Sequence, residues 1–229
     1  MIEVQELRKR YRRRDVLDGV SFTADKGRIT CLIGMNGAGK STVLKAIMGL
    51  VPYRSGTIRI GGEPPSPAVM EKIAFIPDRL MMPGGMRVRE ALAWMQEHYA
   101  RWNPARAEEL LAFFRLDPAA RIAQLSRGTE AKLNLVLGLS RDTDYVLMDE
   151  PFSGIDMLSR EQIADVFTSE LVERRGVLLT THEIAEMERL IDQAVFLDQG
   201  RVVRDFDCER MREDEGKSVV DVMREVYRA

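Results

Sequence analysis

The segment Gly34-Met35-Asn36-Gly37-Ala38-Gly39-Lys40-Ser41 has residue types and spacing that suit phosphate binding. It fits the pattern G-x-x-x-x-G-K-[ST], with an apolar run before it and helical spacing after it. The glycines let the backbone curl so that successive N–H groups face phosphate oxygens, and the following helix adds its positive dipole end. A glycine-rich turn could match the pattern alone, but the strand–loop–helix context argues against it. The candidate nucleotide-binding residues here are Gly34, Asn36, Gly37, Ala38, Gly39, Lys40, Ser41 and Thr42.

A second candidate is the apolar run Tyr145-Val146-Leu147-Met148, which ends in Asp149 and Glu150. A buried strand places such acids at the C-terminal edge of a parallel sheet, where a phosphate loop also lies. Asp149 would hold Mg²⁺ together with Ser41, and Glu150 can orient or deprotonate an attacking water. Alone, the Asp-Glu pair would more often be a solvated turn. Its combination with the phosphate loop favours catalysis.

Two further segments have both a structural and a functional interpretation. Leu125-Ser126-Arg127-Gly128-Thr129-Glu130 precedes a helical stretch, so Ser126 is either an ordinary N-cap or part of an anion site at a helix N-terminus. His182 ends another apolar strand, where a lone histidine is usually structural. Its position at the edge where phosphates should lie favours a functional role.

These four segments, in this order, resemble the nucleotide-binding domain of an ABC (ATP-binding cassette) transporter over nearly the whole chain. The resemblance implies that Leu125 to Thr129 is the family's signature loop and that Ser153 to Asp156 is the loop after the catalytic glutamate. It implies that His182 senses the γ-phosphate, which gives Glu150, His182 and Lys40 as catalytic residues. Tyr11 lies where the family stacks an aromatic ring on adenine, although packing on its own sheet is an alternative.

The resemblance also implies a head-to-tail dimer with two ATP and Mg²⁺ between the subunits. Gly34 to Ser41 of one chain would hold each ATP together with Ser126 and Gly128 of the other. The second chain would be an identical copy or a related ATPase subunit, and a separate transmembrane permease would place the protein at the inner face of the membrane. The stretch from Trp102 to Leu116 resembles the ATPase subunits of small bacterial export-type systems.

The chain departs from the family pattern at two places. Asp78 stands where a glutamine is usual, so it can still bind metal or water but adds negative charge beside the phosphates; we assign it to the metal site with Ser41 and Asp149. Arg127 and Thr129 replace a glycine and a glutamine in the signature loop. Asp78 and Arg127 leave open a regulatory module with little turnover. A second alternative within the family is a soluble ABC ATPase in repair, translation or cluster assembly.

The elements that must position these residues alternate along the chain. Strand patterns at Arg28–Ile33, 144–148 and 176–180 are each followed by helical stretches, which predicts an α/β fold with a P-loop NTPase core of mostly parallel sheet. An antiparallel β subdomain precedes this core. We expect one ABC-type ATPase domain over 1–229, with an inserted helical subdomain at about 79–140 and a helical tail at about 207–229. Within the insertion, Asn103 and Pro104 predict a helix start, and Trp94 and Trp102 are expected on packing faces.

Composition excludes several classes of protein. The 229 residues are 45% hydrophobic and 31% charged, with a formal net charge of −2, so no nucleic-acid partner is expected. The basic run from Arg8 to Arg14 is better explained by a solvated hairpin than by a binding patch.

Cys31 is expected to be a reduced core thiol. The start lacks a signal peptide and no segment could cross a bilayer, which predicts a cytoplasmic protein. Methionines between Leu80 and Met86 either fill the core or border a groove for the permease.

Overall fold

A computed structural model of the protein describes residues 1–167, 174–182, 184 and 187–227. The strands are β1 Ile2–Tyr11, β2 Arg14–Ala24, β3 Ile29–Ile33, β4 Ser55–Ile60, β5 Ile73–Ile76, β6 Tyr145–Asp149, β7 Gly176–Thr181, β8 Gln193–Asp198 and β9 Arg201–Asp207. The α-helices are α1 Lys40–Ile47, α2 Pro67–Met70, α3 Val88–His98, α4 Pro104–Phe114, α5 Arg127–Leu139, α6 Met157–Phe167, α7 Cys208–Glu215 and α8 Val219–Tyr227. The helical stretch expected after β7 and the end of the predicted tail at 228–229 lie wholly or partly outside the described residues.

The central sheet has six strands in the order β5-β6-β7-β3-β8-β9. All neighbours are parallel except β8 and β9, which form an antiparallel hairpin. All residues of β3, β6 and β7 are buried, as expected for strands covered on both faces. This arrangement confirms the predicted α/β class with a mostly parallel sheet.

The two faces of this sheet contact different layers. In β3, Leu32 faces a cluster formed by α1 and the antiparallel strands, whereas Cys31 and Ile33 face the helices on the other side. The period of two along a strand produces this division. β3 is therefore packed on both faces, and the loop that follows it starts from a fixed base.

The N-terminal strands form a separate antiparallel sheet in the order β2-β1-β4. The basic run lies in the β1–β2 hairpin, where Arg12 adopts a left-handed φ of 51° and Arg8 forms an ion pair with Asp18. Arg10 and Arg12 are exposed, so the hairpin interpretation is confirmed. Lys9 differs, since it is buried and donates to the Pro52 carbonyl at 2.5 Å.

Helices α3, α4 and α5 occupy the chain between β5 and β6. Asn103 caps α4 as predicted, because its Oδ1 accepts the Arg106 N–H at 3.1 Å. Trp102 packs partly against the core, but the expectation for Trp94 was wrong. Trp94 is 37% exposed and stacks on His98 with ring centroids 4.3 Å apart, so its contact lies within its own helix instead of the core.

The methionines before α3 differ in burial, so they do not all fill the core. Met82 and Met86 pack against the core, and Met81 is 82% exposed.

Cys31 is buried and free, as expected, and burial raises its pKa well above that of an ordinary thiol. In the part of the chain that the structure describes, no helix is long and apolar enough to cross a membrane.

Candidate nucleotide-binding site

The phosphate loop joins the C-terminal end of β3 to α1. The Gly34 N–H donates to the Thr181 carbonyl at 3.3 Å, which ties the loop to β7. A side chain at Gly34 would lie 2.6 Å from the Leu197 carbonyl, so this position must be glycine. Gly39 precedes α1 with a φ of 110° and has no side chain with which to cap the helix. The first N–H groups of α1 are therefore available to a bound anion.

Lys40 lies at the centre of a charged cluster. It is only 5% exposed, and its Nζ donates to the Gly34 carbonyl at 2.7 Å. The same Nζ is 3.0 Å from Glu150 Oε1, and Glu150 Oε2 is 2.8 Å from His182 Nδ1. One carboxylate thus links the lysine of the phosphate loop to the histidine at the end of β7. The structure brings the three predicted catalytic residues together.

Glu150 adopts an unusual backbone conformation directly after β6. Its φ of 48° lies in the left-handed region, which costs a non-glycine residue about 1–3 kcal/mol. The Glu150 N–H donates to Thr180 Oγ1 at 3.0 Å and to the Thr180 carbonyl at 3.1 Å, which holds this conformation in place. The turn brings the carboxylate to Lys40 and His182.

Asp149 is 2% exposed and ends β6 beside the phosphate loop. Its Oδ1 accepts hydrogen bonds from Ser41 at 2.9 Å and from Thr180 at 2.8 Å. Burial raises the pKa of the Asp149 carboxyl above its usual range, and the two hydrogen bonds oppose that shift. The charge of Asp78 raises the pKa of Asp149 further.

These oxygens fit a magnesium ion that is shared with phosphates. Among the described residues, no group of three or more His, Cys, Asp or Glu side chains could hold a metal ion by itself. Mg²⁺ usually takes one or two protein carboxylates together with substrate phosphates and water, and it prefers oxygen ligands. The Ser41 hydroxyl and the Asp149 carboxylate supply such a partial shell.

A cavity of about 590 Å³ connects the candidate residues. Tyr11 lines it with its side chain exposed, and Lys9 Nζ is 4.5 Å from the centre of the Tyr11 ring. The predicted residues that line the cavity are Tyr11, Asn36, Gly37, Gly39, Lys40, Ser41, Thr42, Asp78, Glu150 and His182. Gly34 and Ala38 are buried in the loop itself.

The signature segment lies differently from the other predicted residues. Ser126 is exposed and caps α5, with its Oγ accepting the Thr129 N–H at 3.2 Å. Gly128 is buried, and a side chain there would lie 2.7 Å from Ser159 Oγ. In the described part of the chain, neither Ser126 nor Gly128 lines the cavity, whereas Arg127 between them does.

Sequence reasoning did not place Arg127 or Thr180 at this site. A threonine inside an apolar strand looks like a core residue, although a hydroxyl one residue from the strand end was an available signal. For Arg127 the available signal was its place in the first turn of a predicted helix, where a positive charge is unfavourable and therefore unusual.

Comparison with known proteins defines the class. The family model described as ABC transporter matches residues 17–153, a range that contains the phosphate loop, the signature segment and the acidic end of β6. The chain belongs to the ABC transporter family and is an ATP-binding ATPase subunit of a transporter.

Individual proteins give narrower similarities. The Nod factor export ATP-binding protein I of Paraburkholderia xenovorans (strain LB400) is 34% identical over 210 residues, which cover 88% of this chain and 69% of that protein. A solved ATP-binding subunit of an ABC transporter has a TM-score of 0.88 and 30% identity, covering 98% of both chains. A dimeric ATP-binding cassette in a post-hydrolysis state, bound to ADP and Pi, shares the fold with a TM-score of 0.80 at 21% identity, covering 90% of this chain and 98% of that chain.

Proposed function

We propose that this ATPase subunit dimerises around two MgATP and drives a separate transmembrane permease in export. The observation that carries the proposal is the cluster of Lys40, Glu150 and His182 beside the paired oxygens of Ser41 and Asp149. All of these groups lie at the C-terminal edge of the parallel sheet, where α/β proteins bind nucleotides.

In this proposal the cavity holds one ATP along the phosphate loop. Tyr11 stacks on adenine at one end, and the N–H groups from Asn36 to Thr42 hold the phosphates. Lys40 binds the β- and γ-phosphates. Ser41, Asp149 and Asp78 hold Mg²⁺, which neutralises phosphate charge.

Glu150 and His182 carry the proposed chemistry. Glu150 orients water and accepts its proton as the water oxygen bonds to the γ-phosphorus and the bond to ADP breaks. Because Glu150 is 2.8 Å from His182, the imidazole can hold that carboxylate in place and donate to the γ-phosphate region. The pair would act together, so loss of either should impair hydrolysis more than nucleotide binding.

The exposed N-terminus of α5 supports the proposed dimer. Ser126 and Gly128 do not line the cavity of their own chain, but Ser126 is exposed, so a second subunit could reach this helix end. The dimeric relative bound to ADP and Pi makes such an arrangement reasonable for this fold. Binding of ATP between two surfaces would couple nucleotide occupancy to motion.

The export direction and the permease rest on the relatives. One relative is named as an export ATP-binding protein, and this chain matches it over most of its length. With a separate permease, the subunit would be cytoplasmic and peripheral at the inner face of the membrane.

The experiment is co-expression with the membrane protein encoded beside this chain, followed by purification in detergent. We expect the two chains to co-purify and ATP hydrolysis to depend on Mg²⁺. Lys40→Ala should abolish hydrolysis, whereas Lys45→Ala, an exposed lysine on the same helix, should not. Recovery of the ATPase only with soluble proteins would refute the permease, and Mg²⁺-independent turnover would refute the metal site.

A further inference from the structure

Lys9 and Tyr11 are neighbours on one side of β1, because they are two residues apart in a strand. Their exposure differs: Lys9 is 9% exposed, whereas Tyr11 is 44% exposed. Tyr11 lines the nucleotide cavity, and Lys9 does not. A lysine is rarely buried without a partner for its charge, so the contacts of Lys9 show what holds it there.

The Lys9 ammonium is anchored by the chain that follows α1. Its Nζ donates to the Pro52 carbonyl at 2.5 Å. Two residues further on, the Arg54 N–H donates to the Arg8 carbonyl at 2.7 Å, which holds this part of the chain against β1. The Lys9 side chain is therefore fixed at both ends, and its cation keeps one position beside the strand.

The same ammonium lies over one face of the Tyr11 ring. Its Nζ is 4.5 Å from the ring centroid, within the range of a cation–π contact. In the part of the chain that the structure describes, no other cation and no aromatic ring packs on Tyr11. Lys9 thus covers one face of a half-exposed ring, and a flat ligand in the cavity can stack only on the opposite face.

We propose that Lys9 is a positioning residue for the base of the nucleotide: its ammonium holds the Tyr11 ring, from the face away from the base, in the orientation that stacks on adenine. This inference rests on the proposed stacking of Tyr11 on adenine. A ring that is already held loses less side-chain entropy when a base binds. Because Lys9 does not line the cavity, its effect on the nucleotide passes through the Tyr11 ring.

The test compares ADP with pyrophosphate, both with Mg²⁺, by calorimetry, since pyrophosphate has the phosphates and lacks the base. Lys9→Met keeps an apolar stem and removes the cation, so ADP binding should weaken about fivefold and pyrophosphate binding should change less than about twofold. Tyr11→Ala should weaken ADP binding about tenfold, as expected for the loss of a base–aromatic stack. Arg10→Met is the matched control, because Arg10 is an exposed cation of the same strand that does not line the cavity; it should change the binding of either ligand less than about twofold.

Further variants separate positioning from stability. In the Tyr11→Ala background, Lys9→Met should leave ADP binding unchanged, because there is no ring left to hold. Lys9→Arg should keep most of the wild-type affinity for ADP, since a guanidinium retains the cation and can stack on the ring. Lys9→Gln keeps a donor for the Pro52 carbonyl without the charge. It should therefore match Lys9→Met in ADP binding while losing less of the free energy of unfolding.

Equal loss of ADP and pyrophosphate binding in Lys9→Met would reveal a general effect of charge or stability and overturn the positioning role. Wild-type affinity for ADP in that variant, or an equal loss in the Tyr11→Ala background, would also overturn it. If Tyr11→Ala binds ADP as tightly as the wild type, the proposed stacking on adenine fails and the role of Lys9 fails with it. A loss in Tyr11→Ala without one in Lys9→Met would overturn the role of Lys9 alone.

Discussion

The Thr180 hydroxyl donates a hydrogen bond of 2.8 Å to Asp149 Oδ1. Its oxygen also accepts the N–H of Glu150 at 3.0 Å, so one buried hydroxyl joins β7 to both acids at the end of β6. Asp149, the candidate metal ligand, and Glu150, the candidate base, thus both depend on Thr180 Oγ1.

Thr180→Val should test this dependence, because valine keeps the shape and removes the hydroxyl. We expect a loss of about 1–3 kcal/mol in the free energy of unfolding, as two buried polar groups lose a partner. Mg²⁺-dependent hydrolysis should fall more than ADP binding. Chemical denaturation and steady-state phosphate release measure the two effects, and Thr180→Ser should restore both. Wild-type turnover in Thr180→Val would remove the hydroxyl from the catalytic site.

Glu150→Gln should separate nucleotide binding from hydrolysis. The amide keeps the size of the side chain but cannot accept the proton of the attacking water, so turnover should fall by about 100-fold or more. ATP should still bind, and an ATP-dependent dimer should accumulate on size-exclusion chromatography. Glu161→Gln, an exposed change on α6, serves as the control. Hydrolysis at the parent rate in Glu150→Gln would exclude Glu150 as the base.

Tyr227→Phe should weaken the strand ends that support the phosphate loop, although Tyr227 lies outside the loop itself. The Tyr227 hydroxyl lies 2.9 Å from the Leu197 carbonyl and 3.3 Å from the Ile33 carbonyl, and the Leu197 carbonyl packs against Gly34. Burial raises the pKa of Tyr227 to about 12, so the hydroxyl remains a donor at neutral pH. We expect a loss of about 1 kcal/mol in the free energy of unfolding and weaker ADP binding. Tyr53→Phe, a change at a partly exposed tyrosine, is the comparison; equal behaviour of the two variants would contradict the coupling.

Asp207→Ala should destabilise the C-terminal region in a pH-dependent manner. Asp207 caps α7 by accepting the N–H groups of Arg210 at 3.0 Å and Glu209 at 3.1 Å, and it pairs with Arg28 at 2.5 Å. The helix-capping hydrogen bonds and Arg28 lower the pKa of this carboxyl. The stabilising contribution of the Asp207 carboxylate is therefore fully present above its pKa in the unfolded chain, which is about 3.9. It is lost as the pH falls through the lower pKa of the folded protein.

For Asp207→Ala we expect the free energy of unfolding at pH 7 to fall by about 1 kcal/mol. Most of this loss comes from the helix cap, since an exposed ion pair contributes little. Urea titrations at pH 7 and near pH 3 measure it, and the difference from wild type should shrink at the lower pH. Asp207→Asn keeps a capping oxygen and should recover most of the loss. A difference that grows toward low pH would contradict the assigned direction.

The sequence was sufficient for the fold class and for the positions of those candidate residues that local spacing places at strand ends. Gly34 to Ser41 and the acids after β6 lie at strand ends, and parallel strands carry such residues to one edge. It was not sufficient for Arg127, which lines the cavity and whose Cζ would lie only 2.6 Å from a Cβ at Gly154. It also missed the exposure of Trp94, because a helical period does not show which partner covers a face; Trp94 is 37% exposed and its ring contacts are with His98 and Tyr99.

The strand order also has a consequence for how the protein is made. β3 carries the phosphate loop, but its neighbours are β7 and β8, which follow it in the chain by more than a hundred residues. A nascent chain that ends before Gly176 can contain the complete loop and still lack both strands that flank it. Such long-range pairing slows folding, because chain entropy must be lost before the contacts form. During synthesis, the ability to bind nucleotide should therefore arise only after β8 has left the ribosome.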